Sequence, residues 1–448
     1  MILASFVGGL VIIARRTPPR ADLELWTFAD NHARMYRGDS ATTEPTLVDL
    51  FHERTGQTVD IKLIGVTAMN LRLSSVFDNA DSNADVPDLV EIEISSIGQF
   101  FRPPLSQIGF LPLNDRLANS GWDKRILASR LAPWSKQGVI FGVPHDVHPV
   151  TLTYRRDLFE QAGVELSAAR TWPEFQDKCL AFQAYWQAHG FPRRRAMELP
   201  SSAADFLTVM LLQRHINLLD TDNTSHLTDS RLADTVNFYA HCVAGQRAIG
   251  GDASPGTNVW IRDLAEGELC CLFTPDWRAA YIQHAGDELR GKLAMMPLPR
   301  FDPTDAPTGT WGGTMIAIPK QARDPDKSWQ LLEHLYFSPD GMRARTRYNG
   351  LLPPVMEAWN DPLWHQPDAF YSGQKIGELY IDLARQLPER YVTPFTALAT
   401  EALNVVLSRT VMAVQSDDEV NLNRRIAGWL AEADAEVKKR IDFGRFDE

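Results

Sequence analysis

The residues with the most chemical reach fall in a few short stretches. His145, Asp146 and His148 sit within four consecutive positions, a density of imidazole and carboxylate that superficially resembles a metal cluster. Zinc ligands carried by a strand need partners from elsewhere, and neither an HExxH helix nor a second ligand motif accompanies them, so no metal site is expected. Glu91, Glu93 and Asp146 are carboxylates of the kind that hydrolyse a glycosidic bond in pairs across a cleft, and sequence alone does not fix their separation. The GxSxG nucleophile elbow, the P-loop and the dinucleotide fingerprint are missing, so no cofactor is expected. What the chain has in quantity is flat apolar surface beside planar hydrogen-bonding groups, with 12 tryptophans. An indole face covers the C–H surface of a ring-shaped ligand, while Asp, Glu and Asn take its hydroxyls.

The elements that position these groups can be read from local pattern. Residues 138–146 form an apolar run punctuated by Gly142 and Pro144, and Val150 to Tyr154 opens a second run rich in β-branched residues. The backbone therefore leaves one sheet and enters another, and a cleft between two lobes is where ligands bind. Asp146 lies in that crossing, facing the cleft or capping a turn. Pro297, Pro299, Pro303 and Pro307 mark a second crossing and Pro353–Pro354 a third, which Tyr348 and Asn349 before Gly350 occupy. Trp277 follows a strand (270–273) and the turn Thr274-Pro275-Asp276, so it opens a helix at the cleft edge, either stacking on ligand or packing in the core; Asp276 is either a helix N-cap or a ligand contact. Trp311 precedes Gly312 and Gly313, whose missing side chains let another surface approach the backbone. Asp30, Asn31 and His32 follow the first strand, where open parallel sheets place ligands, with an N-cap role as the alternative for Asp30 or Asn31. Glu91, Glu93 and Ser95 alternate with Val90, Ile92 and Ile94, giving a polar strand face that carries Glu93, Ser95 and Ser96 to the cleft.

Several segments, in order, carry a family resemblance: LELWTF (23–28), LVDLFHERTGQTVDI (47–61), VPDLVEIEI (86–94), GFLPL (109–113), TWPEF (171–175), GELCCLFTPDW (267–277), MPLP (296–299), WGGTMIAIP (311–319) and NGLLP (349–353). The chain resembles the extracellular carbohydrate-binding proteins of ABC importers, the family of maltose-binding protein, over roughly residues 22–355. The resemblance implies an α/β, type II periplasmic-binding-protein fold of two lobes joined by a multi-crossing hinge with C-terminal helices. It implies lobe one at 22–146 plus 312–350, lobe two at 147–311 plus 351–448, and a signal-like or anchor segment and linker at 1–21. It also implies a non-catalytic, monomeric protein, periplasmic or extracellular, that captures a sugar or oligosaccharide and delivers it to permease subunits. Trp277 would stack on the sugar, with Trp311, Asp146, Asp30, Glu93, Ser95, Gly312, Gly313 and Tyr348 around it. A glycoside hydrolase and a sensory sugar-binding protein are the competing functions, and glycerol 3-phosphate is the competing ligand. The run 144–149 (PHDVHP) is similar to members associated with arabinose-type oligosaccharides.

Composition agrees with this expectation. The 448 residues are 44% hydrophobic and 23% charged, enough for a sizeable core, and the net charge of −12 disfavours nucleic acid or an anionic membrane as partner. The apolar run 2–14 is too short for a comfortable membrane span and suits a signal or tether, although Arg15 and Arg16 follow it and no basic residue precedes it. Thr17 to Arg20 reads as an extended linker. No cysteine precedes Cys179, so a lipid anchor has no acceptor. Cys179, Cys242, Cys270 and Cys271 read as buried thiols, with a Cys179–Cys242 disulfide as the alternative. Leu398, Ala402, Val405 and Val406, then Leu422, Ile426, Leu430 and Ala433, recur at helical spacing as packing stripes in the tail.

Overall fold

In the computed structural model, which describes residues 20–78, 86–254 and 259–445, two main sheets organise the chain. Their strands are β1 (Leu23–Thr27), β2 (Val59–Leu63), β3 (Leu89–Glu93), β4 (Val143–Pro144), β5 (Thr151–Arg155), β6 (Cys271–Thr274), β7 (Leu293–Met296) and β8 (Thr314–Ala317). The first sheet has the order β2-β1-β3-β8-β4 and the second β6-β5-β7. β1, β2 and β3 run parallel, while β8 pairs antiparallel with β3, setting Thr314 against Glu93 and Ile316 against Glu91. The apolar run 2–14 and the linker up to Pro19 lie outside the described residues.

Local signals explain the helices around the sheets. Thr46 and Asp49 form a reciprocal capping box at the start of helix Leu47–Thr55, which ends at Gly56 in the left-handed region; Thr171 and Glu174 do the same for helix Trp172–Ala188. Buried side chains from Leu23 to Val143 join Ile316, Leu331 and Val355 around the first sheet. Another group runs from Val150 to Leu298 and takes in Ala399 to Ile441. A third, with Val147, Leu272, Leu352 and Tyr380, covers the other face of the second sheet. The C-terminal helices Thr396–Gln415 and Leu422–Arg445 pack with helix Ser230–Val243, burying Leu403, Val406, Ile426 and Leu430. Val405, read as part of that stripe, is instead exposed. The apolar length of helix Thr396–Gln415 thus goes into a core.

Two sequence expectations shift. Strand β3 ends at Glu93 and helix Ile94–Phe100 begins at once, so Ser95 and Ser96 are helical rather than the continuation of a polar strand face. Tyr348 and Asn349 finish helix Pro339–Asn349, and the crossing starts after Gly350. All four cysteines are free and buried.

Between the lobes, residues 388–394 form a strap. Asn217 clamps it on one side, donating to the Glu389 carbonyl (3.1 Å) and accepting from the Tyr391 amide (2.9 Å). On the other, Val392 joins the first-lobe core, and the Thr393 carbonyl lies where a Cβ on Gly98 would fall, 2.6 Å away. Gly98→Ala is therefore expected to destabilise the protein by about 1–3 kcal/mol despite alanine's better helix propensity; the measurement is a lowered urea midpoint with an unchanged m value.

Candidate functional site

The first crossing carries a dense cluster of buried charge. Asp146 is enclosed, 1% exposed, and does not face the cleft as the sequence suggested. Its carboxylate accepts from Arg130 Nη2 (3.1 Å), His148 Nε2 (3.0 Å) and the Thr314 amide (3.2 Å). The other nitrogen of His148, Nδ1, meets Asp276 Oδ1 at 2.5 Å. Asp276 in turn accepts from the amides of Trp277 and Leu352, each at 2.8 Å. It is the first residue of helix Asp276–Ala285, not its N-cap, which is Pro275. Arg130 also donates to Thr310 Oγ1 (3.2 Å) in the second crossing. Arg130, Asp146, His148 and Asp276 thus alternate in sign and join the three crossings.

The electrostatics follow from that alternation. Burial alone would raise the Asp146 pKa, but the charge of His148, hydrogen bonds from His145 and His148, and Arg130 hold it well below the usual carboxylate range. Burial opposes protonation of His148, yet Asp146 and Asp276 lift its pKa to about 9. His148 is accordingly an imidazolium at neutral pH, held at a left-handed φ of 56°.

His145 borders this cluster, its Nδ1 3.6 Å from Asp146 Oδ2, but packs its ring into a second one. Its ring stacks on His32 at 3.9 Å and accepts from Arg345 Nε (3.2 Å). Burial, then His32 and Arg345, push its pKa down to about 3, which leaves it neutral. His32 Nδ1 meets Glu91 at 2.9 Å, and Thr27, Tyr36 and Tyr336 donate hydroxyls to the same carboxylate at 2.5, 2.5 and 2.7 Å. His32, Glu91 and His145 bring possible ligand atoms within 4.8 Å of one another. The stacked rings keep their lone pairs in nearly parallel planes instead of converging on an ion, and both Glu91 oxygens already accept hydrogen bonds. The arrangement is that of a buried polar cluster built around a fully hydrogen-bonded Glu91, with His145 Nδ1 and Arg345 Nη1 left without a hydrogen-bond partner. Glu91 and Asp146, two carboxylates considered for a glycosidase pair, are both closed off from solvent.

The cleft wall is aromatic. Trp277 and Trp311 are half-buried, with centroids 5.2 Å apart, and Trp277 Nε1 donates to the Trp311 carbonyl at 3.2 Å. Phe206 meets Trp311 edge-on at 4.9 Å, and the Arg278 guanidinium, paired with Glu198 at 2.7 Å, lies between Trp260 and Trp311. Gly312 and Gly313 have φ of 88° and 148°. A Cβ would stand 3.2 Å from Trp277 Nε1 at the first and 2.7 Å from Arg130 Nη2 at the second, so these glycines make room for the indole and the guanidinium.

The remaining sequence candidates are scattered. Glu93 caps helix Ile94–Phe100, is half-buried, and accepts from the amide and hydroxyl of exposed Ser95. Asp30 is exposed and ion-paired with Arg34 one turn on. Tyr348, 59% exposed, lines a groove with Arg34, Glu44, Leu47 and Arg347 that includes neither tryptophan. Sequence reasoning missed Arg390 on the strap and Asp205 at the start of helix Asp205–Gln213, which line a cavity of about 70 Å³ with Thr310 and Trp311. Pro388, two residues before Arg390, was the available signal of an irregular segment.

A family model described as a bacterial extracellular solute-binding protein matches residues 46–371. The chain belongs to this family. Membership puts it in a periplasmic or extracellular setting. The chain is 22% identical over 407 residues to an arabinooligosaccharide-binding protein of Halalkalibacterium halodurans, covering 88% of this chain and 85% of that relative. Among solved structures, the sugar-binding protein MalE of Xanthomonas citri superposes with a TM-score of 0.69 at 21% identity, covering 94% of this chain and 98% of that one. An ABC-transporter-associated binding protein of B. animalis subsp. lactis, in complex with β-1,6-galactobiose, gives 0.67 at 16% identity, with 95% and 98% covered. The fold of this solute-binding protein is the two-lobed type II periplasmic-binding-protein fold.

The raised pKa of His148 sets a pH dependence. Its folded value, about 9, exceeds the unfolded value near 6.5, so its contribution is complete below pH ~6.5 and lost as pH rises through about 9. Urea midpoints of the wild type should fall between pH 6.5 and 9.5, by on the order of 2–3 kcal/mol in stability. His148→Asn should be less stable at pH 6.5 and show a flatter profile.

Proposed function

We propose that this solute-binding protein captures a sugar or short oligosaccharide in the interlobe cleft and delivers it, as a monomer and without chemistry, to the permease subunits of an ABC importer. The observation that carries the reading is the Trp277–Trp311 pair, two half-buried indoles locked by a hydrogen bond beside the crossings. Such a wall suits the C–H face of a sugar ring. The names of the sugar-binding relatives point the same way. Enclosure of Glu91 and Asp146 removes the pairing of those two carboxylates for hydrolysis.

In this reading the lobes sample open and closed arrangements, and ligand shifts the population toward the closed one by touching both sides. Micromolar affinity, about −8 kcal/mol, is expected. A thermal-shift screen with arabinotriose, lactose, maltotriose and glycerol 3-phosphate tests it, with the supernatant analysed for cleavage. Stabilisation by a sugar without product supports the reading; released monosaccharide would replace it with a glycosidase. Trp277→Ala should weaken sugar binding at least tenfold by calorimetry while the far-UV circular dichroism stays unchanged.

A further inference from the structure

Arg390 stands apart from the other half-buried and buried arginines of the cleft. Arg130 and Arg278 each have a carboxylate partner, whereas Arg390 makes no hydrogen bond or close ion pair with any described residue. Its backbone is nonetheless held firmly, because Asn217 grips the residues on either side of it. The guanidinium is half-buried in the wall of the cavity shared with Trp311, Thr310 and Asp205. Five N–H donors in a rigid planar fork, partly stripped of water, demand acceptors. Burial and the like charge of Arg130 act against its charge, and Glu93 and Asp205 act for it without bonding to it.

We infer that Arg390 is a ligand-reading residue, its guanidinium donating to ring or hydroxyl oxygens of a neutral sugar whose own hydroxyls are taken by Asp205. The inference rests on the sugar-binding reading above and deepens it. Neutrality follows from the local charge. In the cavity lining Arg390 and Asp205 are the charged side chains and balance one another, so a neutral ligand leaves that balance intact and an acidic sugar would not. The fork can bridge two neighbouring oxygens, a geometry that a lysine ammonium lacks.

The test is calorimetry on the full chain with arabinotriose, lactose and maltotriose as neutral probes and digalacturonate as the acidic one. It compares the wild type with Arg390→Lys, Arg390→Ala and Trp277→Ala. The expected result is a neutral probe bound at least tenfold more tightly than digalacturonate, with both Arg390 variants at least tenfold weaker for it. Their ligand-free unfolding midpoints should stay near the wild type, and failure of lysine to substitute separates fork geometry from charge. Arg390 variants that bind within twofold of the wild type, while Trp277→Ala loses affinity, would overturn the role of Arg390 and leave the sugar-binding reading standing. Preference for digalacturonate would overturn the neutral-ligand assignment. Wild-type protein that binds none of the four would sink the sugar reading and this inference with it.

Discussion

The alternating row Arg130–Asp146–His148–Asp276 is the constraint on which the interlobe region depends. Four charges out of water are tolerated because each sits against the opposite sign and its remaining hydrogen-bonding capacity is taken by backbone. Removing any one would strand its neighbours, so the row behaves as a unit. Its partners come from a 3-10 turn of the first lobe, from all three crossings and from a helix of the second lobe. The crossings are thereby stitched together, and lobe motion has to pivot around this fixed row.

The aromatic wall is built on that row. The carboxylate of Asp276 seats the start of the helix whose next residue is Trp277, and it also fixes the Leu352 amide in the third crossing. Gly313 leaves the space that Arg130 occupies, and Gly312 the space for the Trp277 ring. The indole pair and the crossings share these residues, which holds the pair in one place beside the charged row. Preorganised aromatic faces lose little entropy on binding.

Some of this was legible in the chain and some was not. The helix opening at Trp277 and the two helical stripes of the tail are local signals, and helices Asp276–Ala285, Thr396–Gln415 and Leu422–Arg445 appear where those patterns placed them. The alternation of Glu91 and Glu93 was read as a polar face running to the cleft. Period-2 patterning separates the two faces of a strand but does not say what lies over them. Here Tyr36, Tyr336 and His32 cover Glu91 with donors, so a carboxylate in the middle of β3 is buried rather than presented. The same limit applies to Asp146, whose neighbours in sequence suggested a ligand site and whose partners in space close it off.

The sequence by itself determined the first strand, the proline-marked breaks, the helical stripes of the tail and the place of Trp277 after a strand, because these follow from backbone preferences and hydrophobic period over a few residues. Tertiary structure alone decided that His145 and His148, three positions apart, serve different clusters, and that His148 bonds Asp276, 128 positions away. It also decided that Arg390, from a strap near the C-terminus, stands beside Trp311 without a partner of its own. The physical reason is that a charge is tolerated or left available according to what surrounds it in space, and those surroundings are assembled from segments that no local pattern connects.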